Sequence, residues 1–133
     1  MIILNNDTIM TILNNVLYRV LSHEDTDAGT VYHVALDKDC FIYKAHFPNN
    51  PITPGVCMVE TALELLEDLT GKQLEISEAK NIKFLHILSP IENPQADFVF
   101  TSVQDSEDTV KAKVNVVKDD KTFAQLSFTA QNA

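Results

Sequence analysis

Apolar and polar positions alternate along most of this chain, and one long stretch breaks into a helical rhythm. Val56, Val59, Leu63, Leu66 and Thr70 recur at three- and four-residue spacing, with Ala62 and Leu69 widening the stripe. Thr53 is a good N-cap type, Pro54 suits a first helical position, and Gly71 supplies a stop. One long helix is therefore predicted between Pro54 and Gly71, apolar enough to be wrapped by other elements. Strand-length segments are predicted over 16–22, 30–36, 81–88, 96–103, 109–118 and 123–130. Short polar gaps, Asp105-Ser106-Glu107-Asp108 and Asp119-Asp120-Lys121-Thr122, suit hairpins and hence antiparallel pairing. Near the start, Asn5-Asn6-Asp7 can cap a short helix with Ile9, Ile12, Leu13 and Val16 on its apolar side. The order is a hairpin, a central helix, then a run of strands. The expectation is an α+β protein with one antiparallel sheet against one helix, a single domain over 1–133.

Composition fits that picture and removes several classes of function. The 133 residues are 45% apolar and 22% charged, the balance of a folded domain. No apolar run approaches the ~20 residues that a membrane helix needs. The first residues lack the basic start and apolar stretch of a signal peptide, so a cytoplasmic location is expected. A net charge of −9 argues against nucleic acid as a partner. Cys40 and Cys57 have neither CxxC spacing nor histidines at ligand spacing, so buried thiols are expected and no metal site is.

The chemistry concentrates between His46 and Glu60. Three of the five prolines (Pro48, Pro51, Pro54) stiffen the loop that leads into the helix. His46, able to exchange protons near neutral pH, sits on that loop. Gly55 lies in the first helical turn, whose N–H groups lack internal partners and can polarise a carbonyl or hold an oxyanion. Gly55 is not needed for capping there, so close approach of a ligand is the expected reason for it. Glu60 follows one and a half turns later as a second acid–base group.

The segment His46-Phe47-Pro48-Asn49-Asn50-Pro51-Ile52-Thr53-Pro54-Gly55-Val56, with Glu60 following, resembles the signature of the β-hydroxyacyl-acyl carrier protein dehydratases of fatty acid synthesis. That family has the hotdog fold, an antiparallel sheet wrapped around one long helix. Its pattern, His-Phe-Pro-x-x-Pro-x-x-Pro-Gly-Val with a glutamate 14 residues after the histidine, is filled at every position. Tyr18-Arg19-Val20 and Lys83-Phe84 match two further family strands more weakly. The resemblance implies His46 as the base at C2 and Glu60 as the acid at the C3 hydroxyl. It implies Gly55, Val56 and Phe47 as oxyanion and substrate-binding residues. The implied substrate is a (3R)-3-hydroxyacyl thioester on acyl carrier protein or coenzyme A, converted to a trans-2-enoyl thioester without metal or cofactor. The implied assembly is a homodimer, or a trimer of such dimers, with histidine and glutamate from opposite subunits.

Other residues have plainer expectations. Glu64, Glu67 and Asp68 read as the solvated face of an amphipathic helix, and His23, His33 and His86 as core or surface histidines. Glu64 stands where the family usually has glutamine. Leu85 and His86 replace two arginines on the carrier-docking side, and Ile91-Glu92 replace Gly-Asp. Lys80 and Lys83 lie in a stretch from Ala79 to Ile91 that contains no acid, and Lys38 and Lys44 flank the approach to His46, a small basic patch expected to guide a carrier at short range. Competing readings are a hotdog acyl-thioesterase, an isomerising dehydratase (normally with aspartate as the acid), and a non-catalytic acyl-binding subunit of a heterodimer.

Overall fold

The computed structural model describes residues 2–4 and 9–133, with side chains from residue 12 onward. In chain order the elements are β1 (Ile2–Leu4), β2 (Ile9–Thr11), β3 (Tyr18–Thr26), β4 (Gly29–Leu36), α1 (Phe41–Ala45) and α2 (Gly55–Thr70). They continue with β5 (Leu74–Phe84), β6 (Gln95–Asp105), β7 (Thr109–Lys118) and β8 (Lys121–Asn132). β1 and β2 form a small antiparallel pair. The other six strands make one antiparallel sheet in the order β3-β4-β6-β7-β8-β5.

The period-two pattern explains which sheet face is buried. Val110, Ala112, Val114 and Val116 on β7 alternate with exposed or half-exposed neighbours, as do Leu126, Phe128 and Ala130 on β8. These residues share one core with Phe98 and Phe100 of β6 and with Ala62, Leu65 and Leu66 of α2. The helix is thus buried along one side, against the concave set of small and branched strand residues. Two turns are fixed by backbone geometry. Gly29 has φ +128°, and a Cβ there would collide with the Phe100 carbonyl oxygen. Asp119 adopts φ +53° in the two-residue turn between Lys118 and Lys121.

Several expectations change. The proposed N-terminal helix is replaced by β2 at Ile9–Thr11, while Asn5, Asn6 and Asp7 lie outside the described residues. Too few apolar positions recur there to separate helix from strand. The strand expected at 81–88 instead spans Leu74–Phe84, because its solvent-facing Glu75, Glu78 and Lys80 hide the alternation. The helix begins at Gly55 with Pro54 as N-cap. Thr53 does not cap it: its hydroxyl pairs with that of Tyr43 at 2.8 Å, and its N–H donates to the Leu88 carbonyl. The buried helix face is Cys57, Met58, Thr61, Ala62, Leu63, Leu65 and Leu66, so Val56 is turned outward and 74% exposed. Short α1 was not anticipated, since five residues are too few to show a period. Among the described residues, no helix is long and apolar enough to cross a membrane.

Candidate active site

His46 closes the C-terminus of α1, its N–H donating to the carbonyls of Ile42 and Tyr43. From there the loop folds back on itself. Ile52 N–H donates to His46 O at 2.7 Å, and Phe47 and Asn50 exchange backbone bonds at 3.2 and 3.0 Å. The His46–Phe47 peptide is cis. The Thr53 N–H bond to Leu88 ties the loop to the segment after β5. The prolines therefore act in a loop held by main-chain bonds, and they deliver it to the start of α2.

His46 and Phe47 are exposed, with their rings edge-to-face at 5.9 Å. Among the described residues, no acceptor in the chain engages the Gly55 or Val56 N–H, so both donors at the helix start remain open. The ring of Phe84 lies against Gly55: a Cβ there would come within 2.6 Å of Phe84 Cζ. Within the chain, the close approach at this glycine is made by an aromatic side chain of β5, a packing reason that stands beside the expected one.

Glu60 is half-buried, and its carboxyl is pushed up to about 8. Burial is the main cause, followed by a side-chain hydrogen bond and like charge from Glu64, then the charge of Glu67. It carries its proton at neutral pH, as a general acid must. Among the described residues, no hydrogen bond or ion pair joins His46 to Glu60 in one chain. Cys57, on the same helix, is pushed up to about 11, mainly by burial, and stays an unreactive thiol.

The acidic face expected to be solvated is instead bonded throughout. The Glu64 carboxylate accepts the N–H groups of Leu13 (2.9 Å) and Asn14 (2.9 Å) and the Tyr18 hydroxyl (3.0 Å). Glu67 accepts the Leu74 N–H at 2.8 Å, and Asp68 accepts the Tyr32 hydroxyl at 2.7 Å. Only tertiary proximity supplies these donors, so spacing along the helix gave no signal of them. Among the histidines, His33 bridges Asp97 (2.7 Å) and Glu24 (3.1 Å), and its pKa is raised chiefly by the Asp97 hydrogen bond. His23 stacks on Tyr32, and His86 is exposed. The basic patch is partly neutralised, with Lys80 on Glu78 at 2.8 Å and Lys38 on Asp39 at 3.4 Å.

A long helix backed by a six-stranded antiparallel sheet, with a histidine loop at its N-terminus and a carboxyl group within it, defines a hotdog-fold protein of the dehydratase kind. The chain belongs to the ApeI-like family, described as ApeI dehydratase, whose pattern matches residues 22–127. It is 27% identical over 94 residues to a 3-hydroxyacyl-[acyl-carrier-protein] dehydratase, FabZ, of Ligilactobacillus salivarius, covering 65% of this chain and 67% of that one. It is 30% identical over 92 residues to a FabZ of Fusobacterium nucleatum, covering 65% and 64%. Among solved structures it resembles the dehydratase heterocomplex ApeI:P from Xenorhabdus doucetiae, with TM-score 0.62, 17% identity and coverage of 86% and 97%. It also resembles a single-residue variant of the phenylacetic acid degradation protein PaaI from Thermus thermophilus, with TM-score 0.57, 17% identity and coverage of 91% and 97%. At those identities the structural likeness is one of fold.

Proposed function

We propose that the protein dehydrates 3-hydroxyacyl thioesters carried on an acyl carrier protein, in fatty acid or related lipid synthesis. The observation that carries this reading is the half-buried Glu60, its carboxyl raised chiefly by burial, on the helix whose open N–H groups follow the His46 loop. In the reaction, the C2–H bond breaks and its proton passes to His46, while the thioester oxygen gains negative character against the Gly55 N–H. The electron pair forms the C2–C3 double bond, the C3–O bond breaks, and the departing hydroxyl takes the Glu60 proton to leave as water. His46 ends protonated and Glu60 ionised, and proton exchange with solvent resets both. Phe47 and Val56, exposed beside this start of the helix, offer apolar surface to the acyl chain. The free, buried thiols of Cys40 and Cys57 suit the cytoplasm as the compartment.

The separation of His46 from Glu60 within one chain is met by a homodimer in which each site draws on both subunits. The free edge of β5 supports it. Two-fold antiparallel self-pairing requires one residue to meet its own copy, because directly opposed residues share a face. With Ala79 on the axis, all eleven residues of Leu74–Phe84 pair. Leu74 then faces the partner's Phe84, and Ile76 the partner's Ile82. These residues and Ala79 lie on one face, opposite Asn132, Ala130, Phe128, Leu126 and Ala124 of β8. Glu75 meets the partner's Lys83, and Glu78 the partner's Lys80, so the charges are self-complementary.

A His46→Ala or Glu60→Gln variant, assayed on 3-hydroxyacyl thioesters, is expected to lose roughly 10²–10⁴-fold in kcat with its fold intact. Turnover equal to the parent in either variant overturns the reading. Release of free thiol from the same substrates, without enoyl product, favours a thioesterase instead.

A further inference from the structure

We propose that Glu64 is a positioning residue for the acid step: an acceptor-only carboxylate, anchored by Leu13, Asn14 and Tyr18 one helical turn from Glu60, that keeps the Glu60 carboxyl as the proton-bearing member of the pair. The inference rests on the dehydratase reading for its consequence in catalysis, and on the geometry around Glu64 for its cause.

Glu64 Oε1 accepts from Asn14 N–H, Tyr18 O–H and, at 3.2 Å, Leu13 N–H, while Oε2 accepts from Leu13 N–H at 2.9 Å. A carboxyl group surrounded by donors in this way has acceptor roles only, which is the arrangement of the ionised form. Two of the donors are backbone groups that cannot rotate away, and the third is the buried hydroxyl of Tyr18. Glu60 lies one helical turn before Glu64, on the same face. Of the two carboxyl groups, only Glu60 is then free to carry the proton between them, since two carboxylates at this spacing repel.

A glutamine at this position would act differently. Its amide can rotate to donate, and a donor beside Glu60 favours the ionised form of Glu60. The charged residue in this chain therefore favours the acid form where a neutral amide favours the base form. The other titratable groups around Glu60 act in the same sense or are neutral. Glu67 on α2 adds negative charge, Cys57 on α2 is a thiol, and Tyr18 of β3 keeps its phenol proton, its pKa raised by burial and then by Glu64. In the proposed dimer, the partner's His46 is the remaining titratable group facing Glu60.

The test compares the pH dependence of kcat/KM for dehydration in the parent and in Glu64→Gln. Glu60 must be protonated to act, so activity falls as pH rises through its pKa. The ratio of parent to variant kcat/KM is expected to grow about fivefold between pH 6 and pH 8 and to approach tenfold above pH 9, as one unit of displacement in the alkaline limb requires. A ratio that is the same at every pH indicates a structural role alone and overturns the proposal. Carbon-detected NMR titration of the Glu60 carboxyl, which needs no turnover, separates this inference from the dehydratase reading. A lower Glu60 midpoint in Glu64→Gln supports the pairing even if no 3-hydroxyacyl thioester is dehydrated, and an unmoved midpoint refutes it. Should Glu64→Gln fail to fold, the parent titration decides: a Glu60 midpoint in the ordinary carboxylate range overturns the proposal.

Discussion

Gly55 shows how one residue serves both packing and chemistry. Its lack of a side chain lets the Phe84 ring settle over the helix start, while its N–H remains open. Adding a methyl group forces the ring to shift. The ring is half exposed and can give way, so the cost lies near the low end of overpacking, about 1 kcal/mol. Alanine also raises helix propensity by up to about 1 kcal/mol. Gly55→Ala is therefore expected to be neutral or slightly destabilising in the parent and stabilising in a Phe84→Ala background. A urea double-mutant cycle that shows no coupling between the two positions would contradict this packing. Of the residues implicated in function, His46 and Glu60 were legible from their loop and spacing. Glu64 was not, because its donors lie 46 to 51 positions away in sequence.

At the scale of elements, β5 carries the most testable claim. It is an edge strand whose exposed Glu75, Glu78, Lys80 and Lys83 match one another under a two-fold axis at Ala79. In the proposed dimer, Lys83→Glu places an acid opposite the partner's Glu75 and is expected to weaken the assembly at physiological salt. Adding Glu75→Lys restores opposite charge at both ends and should recover the assembly. Analytical ultracentrifugation across concentrations checks both, and equal dissociation of the single and double variants would exclude this register. The same strand was read too late in the chain from sequence, since an edge exposed to solvent before pairing shows no clean alternation. In contrast, β6, β7 and β8 were anticipated within a few residues, because one face of each is buried within the monomer.

For the whole molecule, the acid excess takes on structure. The net charge of −9 includes acids tied to donors at Glu64, Glu67, Asp68 and Asp97, which are not a diffuse solvated coat. Glu60 makes stability depend on pH. Its carboxyl moves from 4.5 in the unfolded chain to about 8 in the folded one, so the folded state binds more protons between those values. Its contribution is fully present below pH 4.5 and is lost as pH rises through about 8. Relative to Glu60→Gln, which cannot ionise, the parent should lose thermal stability steadily from pH 5 to pH 8, as read by Tm in matched buffers. A parallel pH dependence of the two proteins would show that Glu60 is not held protonated by the fold. His33 on β4 works in the same direction: its raised pKa adds stability that is fully present below its ordinary 6.5 and fades as the ring deprotonates.

The sequence by itself determined the elements whose cause is local or periodic. These are the long helix with its glycine stop, the alternating strands of the buried sheet, and the His46-to-Glu60 segment, where proline stiffness and residue type are written in consecutive positions. Tertiary structure alone decided what depends on contact between distant segments. It set which helix face is buried, what lies over Gly55, which donors fix Glu64, and that, among the described residues, no hydrogen bond or ion pair joins the two proposed reacting groups within one chain. The physical reason is common to these cases. A period or a turn needs only neighbours along the chain, whereas burial, desolvation and hydrogen-bond partners are properties of space that spacing along a single helix cannot encode.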